Sequence, residues 1–242
     1  MSKNPNFANR EVADLILSNY ANRKVFMNID WANVTSTSFE AERVFAKGGQ
    51  GAPNRVQFDG DRNGTLTIEA QVYPVKVFQM LSGNDLAKTA NFLKREKLVA
   101  NSGLSLTDTP VGETAQVFAV DDDCGAEIGE LSVSGKKITG AGLTDEHEYI
   151  VYYYTAASDA QVVTFDSKHF PKAFRIEGST PFKCEDDTII ESRHIWFKAA
   201  PQAAFELSWQ NTGDPASITM TFDVMADAEG NIYQQIFPNA KG

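Results

Sequence analysis

Thr65-Leu66-Thr67-Ile68-Glu69-Ala70-Gln71-Val72 and Ser217-Ile218-Thr219-Met220-Thr221-Phe222-Asp223-Val224 are the two stretches that decide the fold. In the first, Leu66, Ile68, Ala70 and Val72 oppose Thr65, Thr67, Glu69 and Gln71; in the second, Ile218, Met220, Phe222 and Val224 oppose Ser217, Thr219, Thr221 and Asp223. Strict period two marks a strand with one face on an apolar core and the other in water. The wet face holds hydroxyls, an amide and carboxylates, with no Lys, Arg, His or aromatic side chain. Such a surface neither grips a ligand nor performs chemistry.

Composition agrees with a scaffold. The chain has 242 residues, 42% of them hydrophobic, enough for one large all-β domain or two small ones. With 22 Lys and Arg against 32 Asp and Glu, the formal charge is -10. That balance argues against duplex binding, which needs clustered cations to displace counterions. No apolar run approaches the roughly 18 residues of a membrane span, and residues 1–10 lack the apolar centre of a signal peptide. The expectation is a soluble chain made without Sec export. Two cysteines, Cys124 and Cys184, are too few for a disulfide framework or zinc site and are read as free thiols, with a bond formed after release into an oxidising medium as the alternative.

Along the chain, Asn9 is positioned to cap a helix over 10–19, with Val12, Leu15 and Ile16 on one face. Strands are expected at 24–31 and 35–46. The run Lys47, Gly48, Gly49, Gln50, Gly51, Ala52, Pro53 cannot hold a regular strand and reads as a mobile loop. Strands 56–58 and 65–73 are expected to form a hairpin around residues 59–64, followed by a short helix over 74–83 that buries Val77, Phe78 and Leu81 and ends at Gly83. One more helical turn is expected at 85–91, before a strand at 92–99. Short strands with Gly and Asp turns follow at 115–120, 130–134, 136–139 and 148–155. The core resumes with strands at 173–177, 188–198, 203–211 and 217–225, joined by turns such as Gly213, Asp214, Pro215.

Chemical motifs are weak. Asp59, Asp61, Asn63 and Gly64 imitate the start of a calcium loop, but the position of the bidentate acid holds Ala70, so a tight turn is the better reading. Asp121, Asp122 and Asp123, and the group Asp223, Asp227 and Glu229, read as solvated turns. His147, His169 and His194 share no ligand spacing. No nucleophile elbow, phosphate loop or dinucleotide fingerprint occurs, and nothing nominates a glycosidase carboxylate pair. Trp31 and Trp209 fall in phase with the apolar faces of their strands and read as core rather than as a sugar platform. The chain is therefore read as a non-enzyme with no catalytic residues, no cofactor and no metal.

The helix-then-strand opening, the Gly-rich loop 47–53, the strand pair 56–58 and 64–73, the helix 74–83 and the closing meander 203–227 resemble the tail tube protein, or major tail protein, of tailed bacteriophages and related contractile injection systems. The resemblance covers residues 10–100 and 168–236; the segment 108–161 departs from the shortest members. It implies a mainly β, antiparallel β-sandwich or half-barrel with short flanking helices, its core at 1–107 and 162–242, and a small β insertion at 108–161. It further implies hexameric rings stacked into the conduit for genome ejection, a continuous barrel of roughly two dozen strands against the about 16 to 18 that already leave an aqueous channel. Thr67, Glu69, Gln71, Thr219, Thr221 and Asp223 would line the lumen, past which DNA slides without specific binding. Residues Lys47, Gly48, Gly49, Gln50, Gly51, Ala52 and Pro53 would contact the adjacent ring. The protein would be made in the bacterial host cytoplasm and reside in the virion tail. Its partners would be further copies of itself, with sheath, tape measure, baseplate and terminator proteins as other candidates. Two readings compete: a capsid decoration or baseplate protein, and a carbohydrate-binding β-sandwich module or hydrolase.

Overall fold

The computed structural model describes residues 6–207, 209, 211, 213 and 215–238. The chain is mainly β and antiparallel, and its contacts divide it into two compact units, Met1–Asn84 with Phe165–Gly242, and Asp85–Thr164. The expected insertion at 108–161 lies inside the second unit, which begins earlier and includes the strand that pairs along the whole of the tyrosine-rich one. Among the described residues no helix is long and apolar enough to cross a membrane.

The first unit opens with β1 (Phe7–Ala8), β2 (Asp14–Asn19), β3 (Val25–Ile29), β4 (Val34–Lys47), β5 (Asn54–Ala70) and α1 (Lys76–Ser82). The second contains β6 (Ala90–Val99), β7 (Leu104–Ser105), β8 (Gln116–Ala119), β9 (Leu131–Ser134), β10 (Lys137–Gly140) and β11 (Glu148–Ala157). The chain then returns with β12 (Phe174–Cys184), β13 (Ile189–Pro201), β14 (Ile218–Met225) and β15 (Tyr233–Ile236).

One nine-stranded sheet makes the first unit, in the order β3-β2-β12-β13-β14-β5-β4, with β1 extending the β2 edge of β12 and β15 extending the β14 edge of β13. The two strands that decide the fold are direct neighbours: β14 runs against β5 with Ile218 opposite Ala70 and Phe222 opposite Leu66. Their apolar faces meet Leu15, Leu17, Ile29, Ile176 and Trp196, and α1 closes the core with Val77, Met80 and Leu81. The sheet curls, since the Ala13 amide just ahead of β2 donates to Thr35 Oγ1 in β4 at 3.0 Å, but no ladder joins its ends and it is not a closed barrel.

The second unit is two three-stranded sheets, β7-β10-β9 and β6-β11-β8, over a core of Leu104, Ile138, Val117, Val151 and Tyr153.

Four expectations are corrected. The helix at 10–19 is strand β2: Leu15 and Leu17 are buried while Ile16 is exposed, a period of two that the open edge of β12 selects. The hairpin at 59–64 does not exist; β5 runs unbroken from Asn54 to Ala70 against β4, so that 47–53 is the tip of one long hairpin. Pairing shifts between Ala41 opposite Arg62 and Arg43 opposite Asp59, where β5 spends one extra residue at Gly60 and Asp61. A bulge thus absorbs residues that read as a turn. No helical turn forms at 85–91; Ala87 instead bridges Val162. The strand at 203–211 is absent over 203–207, and Trp209 is 86% exposed rather than core; Ser208, Gln210 and Asp214 of that segment and its turn lie outside the described residues.

Candidate functional site: a polar face, an arm and a cavity

Register places five of the six expected lining residues together. Thr67 faces Thr221, Glu69 faces Thr219, and Asp223 stands opposite Thr65, all on the side of the sheet away from the core. Strand β4 extends this face with Ser36 beside Thr67 and Ser38 beside Thr65, the two hydroxyls of the latter pair 2.7 Å apart. Gln71 follows the last residue of β5, its amide tied to Asn33 Oδ1 at 3.1 Å. Gln202 donates to Asp223 Oδ1 at 2.8 Å. The contributions of β4, β5 and β14 around these residues are hydroxyls, two carboxylates and the exposed Val34 opposite Glu69, with no cation.

The β4–β5 hairpin leaves this sheet as an arm. From residue 40 to 47 and from 54 to 63 every side chain is exposed. Because the bulge shifts β5 by one, Val44 with Phe58 and Ala46 with Val56 fall on the polar-face side, making an apolar patch on the arm; Val44 is 62% and Phe58 59% exposed. At its base Phe39 lies across Gly64, where an added Cβ would meet the ring at 2.8 Å. At its tip, Gly49 and Gly51 take positive φ, and Arg55 Nε donates to the Gly48 carbonyl at 2.8 Å. Asp59, expected in a turn, sits in the ladder, where hydrogen bonds from Arg43 and Gln57 hold its carboxyl below the usual range.

At the open end of the core lies a cavity of about 300 Å³ lined by Glu11, Ser36, Phe182, His194, Trp196, Tyr233 and Gln235 among others. His194 stacks on Trp196 with ring centroids 5.9 Å apart. Its Nδ1 lies 2.6 Å from the Tyr233 hydroxyl and its Nε2 3.2 Å from Ser192 Oγ. Trp196 Nε1 donates to Thr37 Oγ1 at 3.1 Å. Burial pushes the His194 pKa down and that of Tyr233 up. The Ser192–His194 pair has the spacing of a nucleophile and base, but Ser192 is fully buried and beyond reach of a substrate.

Elsewhere the expected acidic groups make turns and pairs. Asp122 accepts from the Ala126 amide at 2.8 Å, Asp123 pairs with Arg95 at 2.8 Å, and Asp227 accepts from the amides of Glu229 and Asn231. His169 pairs with Asp166, and His147 lies near the Asp145 carbonyl. Among the described residues no three or more His, Cys, Asp or Glu side chains gather as metal ligands. Both cysteines are free, Cys124 exposed and Cys184 buried. Trp31 packs against the core, as its strand phase implied.

Sequence reasoning missed the arm and the cavity. Long strand-like runs either side of a Gly-rich heptad signal one long hairpin, but the residues at 59–64 look like a second turn. The cavity assembles Ser192, His194 and Trp196 at strand spacing with Tyr233 and Gln235 from a short strand that carries no signal of its own. A family model described as the YomU/Tube protein family matches residues 9–235. A comparison with curated proteins finds no significant match.

Proposed function

The chain belongs to the YomU/Tube protein family, and on that premise we propose that it is a phage virion structural protein that polymerises as stacked hexameric rings into the tail tube, the conduit for genome ejection. The observation that carries this reading is the arm. A long hairpin exposed on both faces, with Val44, Val56 and Phe58 in water, buries none of these apolar side chains within one copy. Large apolar side chains gain roughly 1.5–3 kcal/mol each when buried, and such a surface is what assembly covers. The unpaired edges at β3 and β4 point the same way, because long exposed edges are templates for pairing with another chain.

In this reading Thr67, Glu69, Gln71, Thr219, Thr221 and Asp223 line the lumen. Their two carboxylates repel phosphate and no cation stands among them to hold it, so a duplex slides. The tip, Lys47 to Pro53, contacts the adjacent ring. The protein is made in the host cytoplasm and ends in the virion tail, where sheath, tape measure, baseplate and terminator proteins are the further candidates for contact. Its role is structural, not catalytic.

Electron microscopy of the purified full-length protein tests the proposal. Rings or tubes with a central hole, and the six lining residues facing that hole in a reconstruction, are the expected result. Monomers at high concentration, or those side chains on the outer wall, would overturn it.

A further inference from the structure

The arm tip and the cavity have opposite chemistry. Between Val44 and Phe58 the only charged residues are Lys47 and Arg55, both cations, on a chain of net charge -10. Around them stand the exposed Val44, Val56 and Phe58. The cavity offers aromatic walls in Trp196, His194, Tyr233 and Phe182, and no Lys or Arg is among its described lining residues. Glu11 contributes a carboxylate that pairs with no described residue, and Gln235, whose amide nitrogen is spent on Ser192 Oγ at 3.1 Å, leaves its carbonyl oxygen as an acceptor. Aromatic walls with an unpaired carboxylate suit a cationic side chain on an apolar stem, since the ring faces attract the charge and cover the stem.

A second copy is the source of that cation. Beyond the Phe39–Gly64 pair, β4 continues for the eight residues 40–47, about 26 Å at ~3.3 Å per residue. Every side chain along that length is exposed, so the tip is carried away from its own body rather than folded back on it.

We propose that the cavity is a socket for the cationic arm tip of a second copy, with Lys47 and Arg55 brought against Trp196, His194 and Tyr233 and paired with Glu11. This deepens, and rests on, the self-assembly reading above. It names where the tip lands, which the exposure of the arm alone does not.

The test uses full-length chains carrying Cys124→Ser, which removes the exposed native thiol. Glu11→Cys and Lys47→Cys variants are mixed under assembly conditions and oxidised, with Asp187→Cys replacing Glu11→Cys as the control. A disulfide-linked Glu11→Cys/Lys47→Cys heterodimer, at least tenfold above the control pair, is expected. The same samples are imaged. Cross-linking with tubes supports both readings. Cross-linking without tubes keeps the socket as a contact between copies and overturns the tube. Tubes without the cross-link overturn the socket and leave the tube standing, and the absence of both cross-link and tubes overturns both. Charge reversal gives an independent arm: Glu11→Lys should raise the critical concentration for assembly at least tenfold, and Lys47→Glu with Arg55→Glu in the same chain should restore it. A triple variant worse than Glu11→Lys alone would overturn the pairing.

Discussion

His194 shows how one side chain couples the core to the cavity. Its ring stacks on the buried Trp196, and both its nitrogens are engaged, by Tyr233 and Ser192. Among the described residues no carboxylate is bonded to it, and burial holds its pKa below 6.5, so the folded state favours the neutral ring. The sign follows from linkage: a depressed histidine contributes stability that is full above the unfolded pKa and declines as pH falls through it. The melting temperature should therefore drop between pH 7.5 and 5.5, and His194→Gln, which cannot take the proton, should flatten that drop. An equal decline in both proteins would assign it to other groups. Glu96 titrates far lower. Burial opposes its charge, yet bonds from Lys94, the Thr107 amide and the Tyr153 hydroxyl hold its pKa at about 2. At this scale the sequence was partly legible. His194 shares no ligand spacing with the other histidines, and its partners Tyr233 and Gln235 come from a strand some 40 residues on, a pairing that local spacing does not reveal.

At the scale of elements, the contest between period 3.6 and period two was decided by what lay beside each segment. Val12, Leu15 and Ile16 fit a helix, while Ala13, Leu15 and Leu17 fit a strand equally well, and only the free edge of β12 breaks the tie. Strands β5 and β14 were legible because their alternation is long and each is the other's neighbour. The arm was not, because Asp59, Gly60, Asp61, Asn63 and Gly64 carry turn chemistry that a bulge and an aromatic cover convert to strand. Gly64 permits that cover: Phe39 lies over it, and an added Cβ would also come within 3.3 Å of Val224. Gly64→Val should displace Phe39 and destabilise the first unit by roughly 1–3 kcal/mol, measured by chemical denaturation; an unchanged midpoint would mean the ring moves freely. Val44→Ser with Phe58→Ser makes the opposite prediction. Both residues are exposed in one copy, so monomer stability should stay within about 0.5 kcal/mol while assembly fails. Loss of stability in the isolated subunit would show instead that the arm packs at home.

For the whole molecule, the physical boundaries of the second unit determine which excisions the chain tolerates. Removing 108–161, the segment whose turn-rich composition looks like an insertion, would strip β11 from β6 along ten paired residues, from Glu148 opposite Val99 to Ala157 opposite Ala90. It would also remove Tyr149, Val151 and Tyr153 from the core they share with Ala100 and Leu104. The strand left behind would carry an apolar face and an open edge, the combination that invites aggregation. Cutting at the contact boundary avoids this. Asn84 and Asp166 are already joined side chain to side chain at 3.0 Å, so a short Gly/Ser linker can replace Asp85–Thr164 without stretching the chain. The nine-stranded sheet draws none of its strands from the excised segment, and α1 stays attached through Gly83, packed closely against Phe170. The variant lacking Asp85–Thr164 should therefore melt cooperatively and still polymerise, whereas the one lacking 108–161 should express poorly or aggregate. If the first variant folds but forms no rings, the second unit belongs to the contact between copies, and the assembly surface extends beyond the sheet edges, arm and socket of the first.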